Sequence, residues 1–331
     1  MHPSISVGIT VYKRLSFLKE CILSIIQQPY DNIEVIIGND DPENRLTLAY
    51  LGIDDNRVRI INRDANIGEI PNMNDLLHVA KGQYFTWLAD DDAWSPQFLD
   101  QISKAILDFD NPVCIYTHFI EGETFPHVHQ TENIDREILT GQKFLSQYLS
   151  RKLKVIGCYG VYQTSYLRKI GGMQLMSKRF GPYSDTMMTI RAGLLTEIIL
   201  IKSPLVFYRI HGDSASIKSE DVLGYKESQE TLCKNSIKIF KEQHLLKDFD
   251  TNLYQLLSFW CIGYWHSVLA RSDKLHYSQW RNYYFKFVYS YAVQLNRYRW
   301  LVLYDILKGL YVVLKSRVKL VMGLRKIYNN E

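Results

Sequence analysis

The first 120 residues alternate between two hydrophobic periods, and that alternation limits the fold more than any other feature. Ile5–Val11 reads as a first strand. Leu15–Ile26 then sets Phe17, Leu18, Cys21, Ile22, Ile25 and Ile26 at spacings of three and four, which predicts a helix with Ser16 near its start. Ile33–Ile37 and Val58–Ile61 are two more strand-length runs. Asn72–Ala80 returns to helical period, with Met73, Leu76, Leu77 and Ala80 inward and Gly82 suited to its C-terminal cap. Tyr84–Ala89 is again a strand. Ser95-Pro96 opens another helix, with proline near its first turn, and Val113–Thr117 is a further strand. Strands alternating with helices over short connections predict an α/β domain with a mainly parallel, Rossmann-like sheet flanked by helices. In such a sheet, ligands bind beyond the carboxyl ends of the strands.

Carboxylates stand at two of those ends. Asp40 follows the second strand, and Asp90, Asp91 and Asp92 close the run Tyr84–Ala89. Three adjacent carboxylates are costly to hold unless a cation neutralises them. A hard divalent ion, Mg²⁺ or Mn²⁺, takes oxygen ligands and shares them with phosphate. The pattern therefore predicts a metal-assisted site for a diphosphate, against the alternative of a solvated acidic loop.

Beyond residue 120 the signals weaken. Glu121–Arg136 reads as a polar loop, Gly141–Leu149 as a helix and Gly157–Tyr162 as a strand. Ser184–Leu195 reads as a helix with Ser184 near its N-cap. Glu197–Ile201 and Leu205–Ile210 read as two short strands. From residue 221 onward helical periodicity dominates, which places a domain boundary near 218: an α/β domain over 1–218, then a helical, basic and aromatic-rich region over 219–331. The formal charge of +4 is unevenly spread, because residues 271–331 hold 12 Lys and Arg against 3 Asp and Glu. Five scattered cysteines with no Cys-x-x-Cys fit a reducing compartment and suggest no zinc site. No signal peptide is visible, and Leu301–Leu314 is broken by Asp305 and Lys308. A cytoplasmic protein is expected.

The motifs have an order of their own. Ser6-Val-Gly-Ile-Thr-Val-Tyr12, Ser24-Ile-Ile-Gln-Gln28, Ile33-Glu-Val-Ile-Ile-Gly-Asn-Asp40, Asn66-Ile-Gly68 with Asn74, Ala80-Lys-Gly-Gln-Tyr84 and Trp87-Leu-Ala-Asp-Asp-Asp92 with Pro96 follow one another. Ile170-Gly-Gly172, Asp185 and Tyr208-Arg-Ile-His211 come after them. Over residues 4–217 this set resembles the inverting family 2 glycosyltransferases of the GT-A fold, of the bacterial polysaccharide and lipopolysaccharide type.

The resemblance implies a nucleotide-diphosphate sugar donor, Mn²⁺ or Mg²⁺, and transfer with inversion to a hydroxyl of a glycan or lipid-linked acceptor. It implies that Asp40, Thr10 and Tyr12 meet the nucleotide; for Asp40 a turn beside Pro42 is the alternative, for Tyr12 ordinary packing. Asn74, Asp90, Asp91 and Arg209 join the donor set, with a surface salt bridge as the alternative for Arg209. The family's Asp-x-Asp maps onto Asp90 and Asp92, or in its Asp-x-Asp-Asp form onto Asp91 and Asp92, so Asp92, Asp90 and His211 are the expected metal ligands. Asp185 is the expected general base, near a helix N-terminus whose dipole favours the ionised form. The chain has Ser184-Asp185 where the family usually has two acids. No Gln-x-x-Arg-Trp motif of the processive synthases stands in the expected place, which implies addition of one sugar.

Other readings are a sugar-phosphate nucleotidyltransferase and a non-catalytic nucleotide-sugar-binding scaffold. The first normally has a glycine-rich loop after strand one; Thr10–Ser16 has no glycine. The tail sets Leu307, Leu310, Tyr311, Leu314, Val318 and Val321 at helical spacing among Lys315, Arg317, Lys319, Arg325 and Lys326. That pattern suits an anionic membrane surface, or packing on the catalytic domain or another subunit. No nucleic-acid motif accompanies it.

Overall fold

The computed structural model describes residues 2–125, 134–178, 181–212 and 222–257, together with Leu307 and Tyr311. The chain divides into two compact units. One comprises Met1–Tyr148 and Leu153–His211; the other comprises Leu149–Lys152 and Gly212–Glu331.

The first unit is built on one nine-stranded sheet. Its regular part is formed by β1 (Ile5–Val11), β2 (Ile33–Asn39), β3 (Val58–Asn62) and β4 (Tyr84–Trp87). They lie in the order β3-β2-β1-β4 and are all parallel. β1 is covered on both faces: Ile5, Val7, Ile9 and Val11 are buried, and so is Ser6 between them. Burying four such side chains is worth on the order of 6–12 kcal/mol, comparable with the whole net stability of a domain. At Gly8 an added Cβ would lie 2.8 Å from the Phe85 ring, so close approach to β4 requires glycine there.

α1 (Leu18–Ile26) and α3 (Glu69–Val79) follow β1 and β3, while the single turn α2 (Leu48–Leu51) lies between β2 and β3. α1 buries Leu18, Cys21, Ile22 and Ile25, as its period predicts. It begins three residues later than expected, with Phe17 at the N-cap and no side-chain cap. α3 begins three residues earlier than expected, because Gly68 adopts φ 89° and turns the chain into the helix. Gly82 does not cap α3; Ala80 does. Gly82 instead presses on β1, where its N–H donates to Ser6 Oγ at 2.7 Å and a Cβ would meet the Ser6 backbone at 2.6 Å.

The rest of the sheet is mixed. β5 (Ala93–Trp94), β6 (Cys114–Gly122), β7 (Arg136–Thr140), β8 (Val161–Gln163) and β9 (Glu197–Arg209) continue it in the order β4-β8-β6-β9-β5, with β7 also on β9. β8 runs antiparallel to both neighbours, and β6 with β9 is parallel. β9 is one strand of 13 residues, where the sequence suggests two, because Lys202-Ser203-Pro204 forms an irregularity inside it. The offset between β6 and β9 grows by three residues across that irregularity, from Thr117 opposite Ile201 to Glu121 opposite Tyr208.

α4 (Phe98–Asp108), α5 (Gly141–Leu149), α6 (Thr164–Lys169) and α7 (Ser184–Ala192) complete the unit. Gly157–Tyr159 is a single 3-10 turn, and of the expected strand only Val161 and Tyr162 are extended, within β8. Ser184 is the first residue of α7 rather than its cap; Tyr183 holds the cap position at φ 68°. In the second unit, α8 (Val222–Glu242) is followed by helical residues 246–257. The basic amphipathic segment falls almost wholly outside the described residues; of it, Leu307 and Tyr311 are exposed. Among the described residues no helix is long and apolar enough to cross a membrane.

Candidate functional site

The carboxyl ends of β1, β2, β4 and β9 bring most of the expected residues into one region. The acid turn follows β4, and its three aspartates have different surroundings. Asp90 is 4% exposed and accepts from Arg14 Nη2 at 2.7 Å. Burial, with Asp91, Asp92 and Glu69 nearby, pushes its carboxyl up to about 8 against the pull of Arg14. Asp91 is more open: its Oδ2 accepts from Arg14 Nη1 at 2.8 Å and faces His211 Nε2 at 3.0 Å. Asp92 is 1% exposed. Its Oδ1 accepts the Arg209 backbone N–H at 2.7 Å, and its Oδ2 accepts the Tyr159 hydroxyl. Burial and Asp91 raise its carboxyl to about 7, opposed by those two donors. The structure therefore gives Asp92 the work of tying β4 to β9, and leaves Asp91 facing His211. Sequence alone placed Asp92 among the metal ligands because both registers of the motif contain it.

Arg209 lies inside the protein, neither at the surface nor open to a phosphate. It is 5% exposed; its Nε donates to the Asp91 carbonyl at 2.9 Å and its Nη2 to Glu20 at 2.6 Å. Its guanidinium lies 4.2 Å from the centre of the Phe17 ring, and the His211 ring packs on the same phenylalanine at 5.0 Å. Phe17 and Arg209 together fix the place of His211.

Asp40 is buried too, and both its oxygens are engaged. Oδ1 accepts the Ile67 N–H and Oδ2 the Gly68 N–H, each at 2.8 Å. The turn role that was the alternative for Asp40 belongs to its neighbour Asp41, which accepts from the Glu43 N–H and from Asn44. Asp40 thus holds the loop 66–68 at the start of α3, close to where β1 ends. Tyr12, at that end, is 47% exposed, and Lys13 Nζ lies 5.3 Å from its ring centre. Thr10 is half-buried one residue inside β1. Asn74 is turned away to other work: its amide exchanges two hydrogen bonds with the Met173 backbone, each 2.8 Å, and so staples the Gly171-Gly172 turn to α3.

Asp185 stands in the first turn of α7 and accepts the Cys158 N–H at 2.9 Å. Burial raises its carboxyl above the usual range despite the helix N-terminus, and the Cys158 contacts only partly offset this. A raised pKa makes a carboxylate a better proton acceptor. The Gly157–Tyr159 turn serves both acids: Cys158 holds Asp185, and Tyr159 holds Asp92. Gly157 is obligatory in this arrangement, since a Cβ there would lie 2.1 Å from the Asp185 carbonyl oxygen.

The donor set suits a divalent cation only in part. Asp91 and His211 offer one hard oxygen and one imidazole. Among the described residues no group of three or more metal-ligating side chains is assembled. Mg²⁺ and Mn²⁺ commonly accept such a short protein set, completed by substrate phosphates and water.

The family model of Glycosyl transferase family 2 matches residues 6–171, half of the chain. The chain belongs to this family. Among curated relatives, glycosyltransferase GlyG of Streptococcus pneumoniae is 30% identical over 127 residues, covering 38% of this chain and 42% of GlyG. The putative glycosyltransferase EpsH of Bacillus subtilis is 23% identical over 63% of this chain and 61% of its own. The putative colanic acid biosynthesis glycosyl transferase WcaA of Escherichia coli is 31% identical over 30% and 36%. The chain thus spans less than two thirds of each of these relatives. The solved structure of S. aureus TarS 1-349 in complex with UDP-GlcNAc superposes with a TM-score of 0.67 at 16% identity, over 99% of this chain and 94% of that one. That likeness shows the GT-A fold.

Within this family 2 framework, three residues come into the site that sequence reasoning did not single out. Arg14 carries the cation that the acid turn needs, but a lone arginine in a loop has no motif. Tyr159 sat in a segment read as strand. Glu69, in the first turn of α3, is open to solvent yet ringed by protein; that surrounding and the Asp185 charge push its carboxyl up to about 7, against Arg14. Its position directly after Asn66-Ile-Gly68 was the available signal.

Proposed function

We propose that this chain is an inverting, metal-dependent glycosyltransferase. It moves one sugar from a nucleotide-diphosphate sugar to a hydroxyl of a glycan or lipid-linked acceptor in surface polysaccharide synthesis. The observation that carries the reading is the pairing of Asp91 with His211 at 3.0 Å, beyond the carboxyl ends of β4 and β9 in a family 2 fold. The name of WcaA, a putative colanic acid biosynthesis glycosyl transferase, supports polysaccharide synthesis, and the TarS complex supports a uridine-diphosphate sugar as donor.

Tyr12 and Thr10 would receive the base at the end of β1, against the loop that Asp40 holds. Asp91 and His211 would hold Mn²⁺ or Mg²⁺, which when bound supplies charge neutralisation for the diphosphate leaving group. Asp185 would accept the proton of the attacking hydroxyl, and Cys158 keeps its carboxylate oriented for that. Inversion follows if the hydroxyl attacks from the face opposite the diphosphate. Recruitment of the second unit to an anionic membrane surface, or oligomerisation through it, belongs to the same reading through the basic segment 307–326.

The test is a screen of nucleotide sugars for thermal stabilisation with and without EDTA, followed by nucleotide release with the stabilising donor. Turnover that survives EDTA unchanged rejects the metal; stabilisation by no nucleotide sugar rejects the donor class.

A further inference from the structure

Arg14 occupies the acid turn in a way that bears on how a metal could enter it. It lies in the loop between β1 and α1, next to Lys13 at φ 61°. One guanidinium spans two carboxylates: Nη2 reaches Asp90 Oδ1 at 2.7 Å, and Nη1 reaches Asp91 Oδ2 at 2.8 Å. Asp91 Oδ2 is also the oxygen that faces His211 Nε2 at 3.0 Å. The protein's own cation and the pair that would hold a divalent ion therefore share a single atom.

We infer that Arg14 is a resident counter-cation that competes with the divalent ion for Asp91 and yields it when the donor's diphosphate arrives. This rests on the metal-dependent reading above. A guanidinium and a divalent ion around one carboxylate oxygen repel strongly, so both do not stay there. Arg14 can leave: its side chain is about one-third exposed and sits on a loop, whereas Asp90 is buried. A diphosphate offers the fork of donors a bidentate partner of higher charge than Asp91. Without nucleotide, Arg14 neutralises the acid turn and lowers its affinity for metal. With nucleotide, that opposition is relieved. Metal and donor then bind with positive coupling, and part of the coupling is Arg14's own. Arg14 is a positioning residue in this scheme, acting on the metal through Asp91.

The experiment measures Mn²⁺ affinity, by the EPR signal of free Mn²⁺, for the full chain with and without uridine diphosphate. Arg14→Gln is expected to raise Mn²⁺ affinity without nucleotide by about 10-fold, the scale of one removed charge opposition. It should also shrink the enhancement that uridine diphosphate confers on the wild type. Arg14→Lys keeps a charge but cannot span both carboxylates, and should fall between the two. It also serves as the deciding variant if Arg14→Gln does not fold. Unchanged or weaker Mn²⁺ binding without nucleotide, in a folded variant, overturns the inference and leaves the metal reading intact. A wild type that binds no Mn²⁺ even with uridine diphosphate overturns both.

Discussion

Along β1–β4 the site is carried by parallel strands in continuous register, of which β1, β2 and β4 are buried on both faces, and Asp40 reaches out to hold a loop. Across from them, Asp185, Asp92, Arg209 and His211 stand on the first turn of a helix, the turn after β4 and the end of an irregular strand, and a 3-10 turn braces Asp185 and Asp92. There the holding force is a chain of polar contacts: Cys158 N–H to Asp185, Tyr159 to Asp92, Asp92 to Arg209, Arg209 to Glu20. The first wall owes its shape to apolar burial spread over many residues, so no single polar group decides it. The second concentrates its shape in a few buried charged groups, each costly to leave unpaired.

The largest expected effect tests whether the second wall holds the chemistry. Asp185→Asn should keep donor binding and lose about 10²–10⁴-fold in turnover, the usual worth of a general base. Donor affinity and nucleotide release together check it; lost affinity with kept turnover would move Asp185 to the donor set.

Next comes the contrast between adjacent acids. Asp92→Ala leaves the Tyr159 hydroxyl and the Arg209 N–H buried without their acceptor, and should cost about 2–5 kcal/mol of stability in a denaturant titration. Asp91→Ala, at a more open position, should stay within about 1 kcal/mol and instead lose nucleotide-diphosphate binding that depends on Mn²⁺. Equal stability of the two variants would break the division of labour assigned to them.

Gly157→Ala should cost about 1–3 kcal/mol by overpacking against the Asp185 backbone. Gly171→Ala is its control: a Cβ at Gly171 meets nothing within 4 Å, although φ 76° carries its own smaller strain. A melt showing Gly171→Ala as the more damaging change would remove the steric argument for the turn.

The smallest effect concerns Glu69. Its folded pKa of about 7 stands above its ordinary value of 4.5, so the folded state favours the protonated form. The associated stability is present below about 4.5 and fades as pH rises through about 7. Being open to solvent, Glu69 gives only a modest slope. Glu69→Gln should flatten the decline of Tm between about pH 5 and 8; parallel curves for the two proteins would show that the carboxyl does not titrate there.

The same contrast explains what the sequence disclosed. β1, β2 and β4 are buried on both faces, so each leaves a mainly apolar segment, and the carboxylates that follow β2 and β4 could be located from it. β5 and β8 have two and three residues, too few to set a period. β7 has five, of which only Leu139 is buried. β9 was divided in two because Lys202-Ser203-Pro204 resembles a loop. The partition of roles among Asp90, Asp91 and Asp92 depends on which neighbour each side chain meets, and Arg14, Tyr159 and His211 approach from 76, 67 and 120 residues away. No local pattern encodes such meetings.

The irregularity in β9 has a further consequence, because strand side chains alternate in direction and an odd shift exchanges the two faces. Three extra residues between Ile201 and Tyr208 turn Arg209 inward beneath the acid turn. Removing a single residue from 202–204 would instead move Arg209 to the outward place of Tyr208 and bring Ile210 into its own, leaving the buried position beside Asp92 without its cation. Residue number in that short stretch therefore matters more than residue identity. Sequence drift there is tolerable where substitutions accumulate, or where length changes by two, while a one-residue gap would unmake the site from a distance.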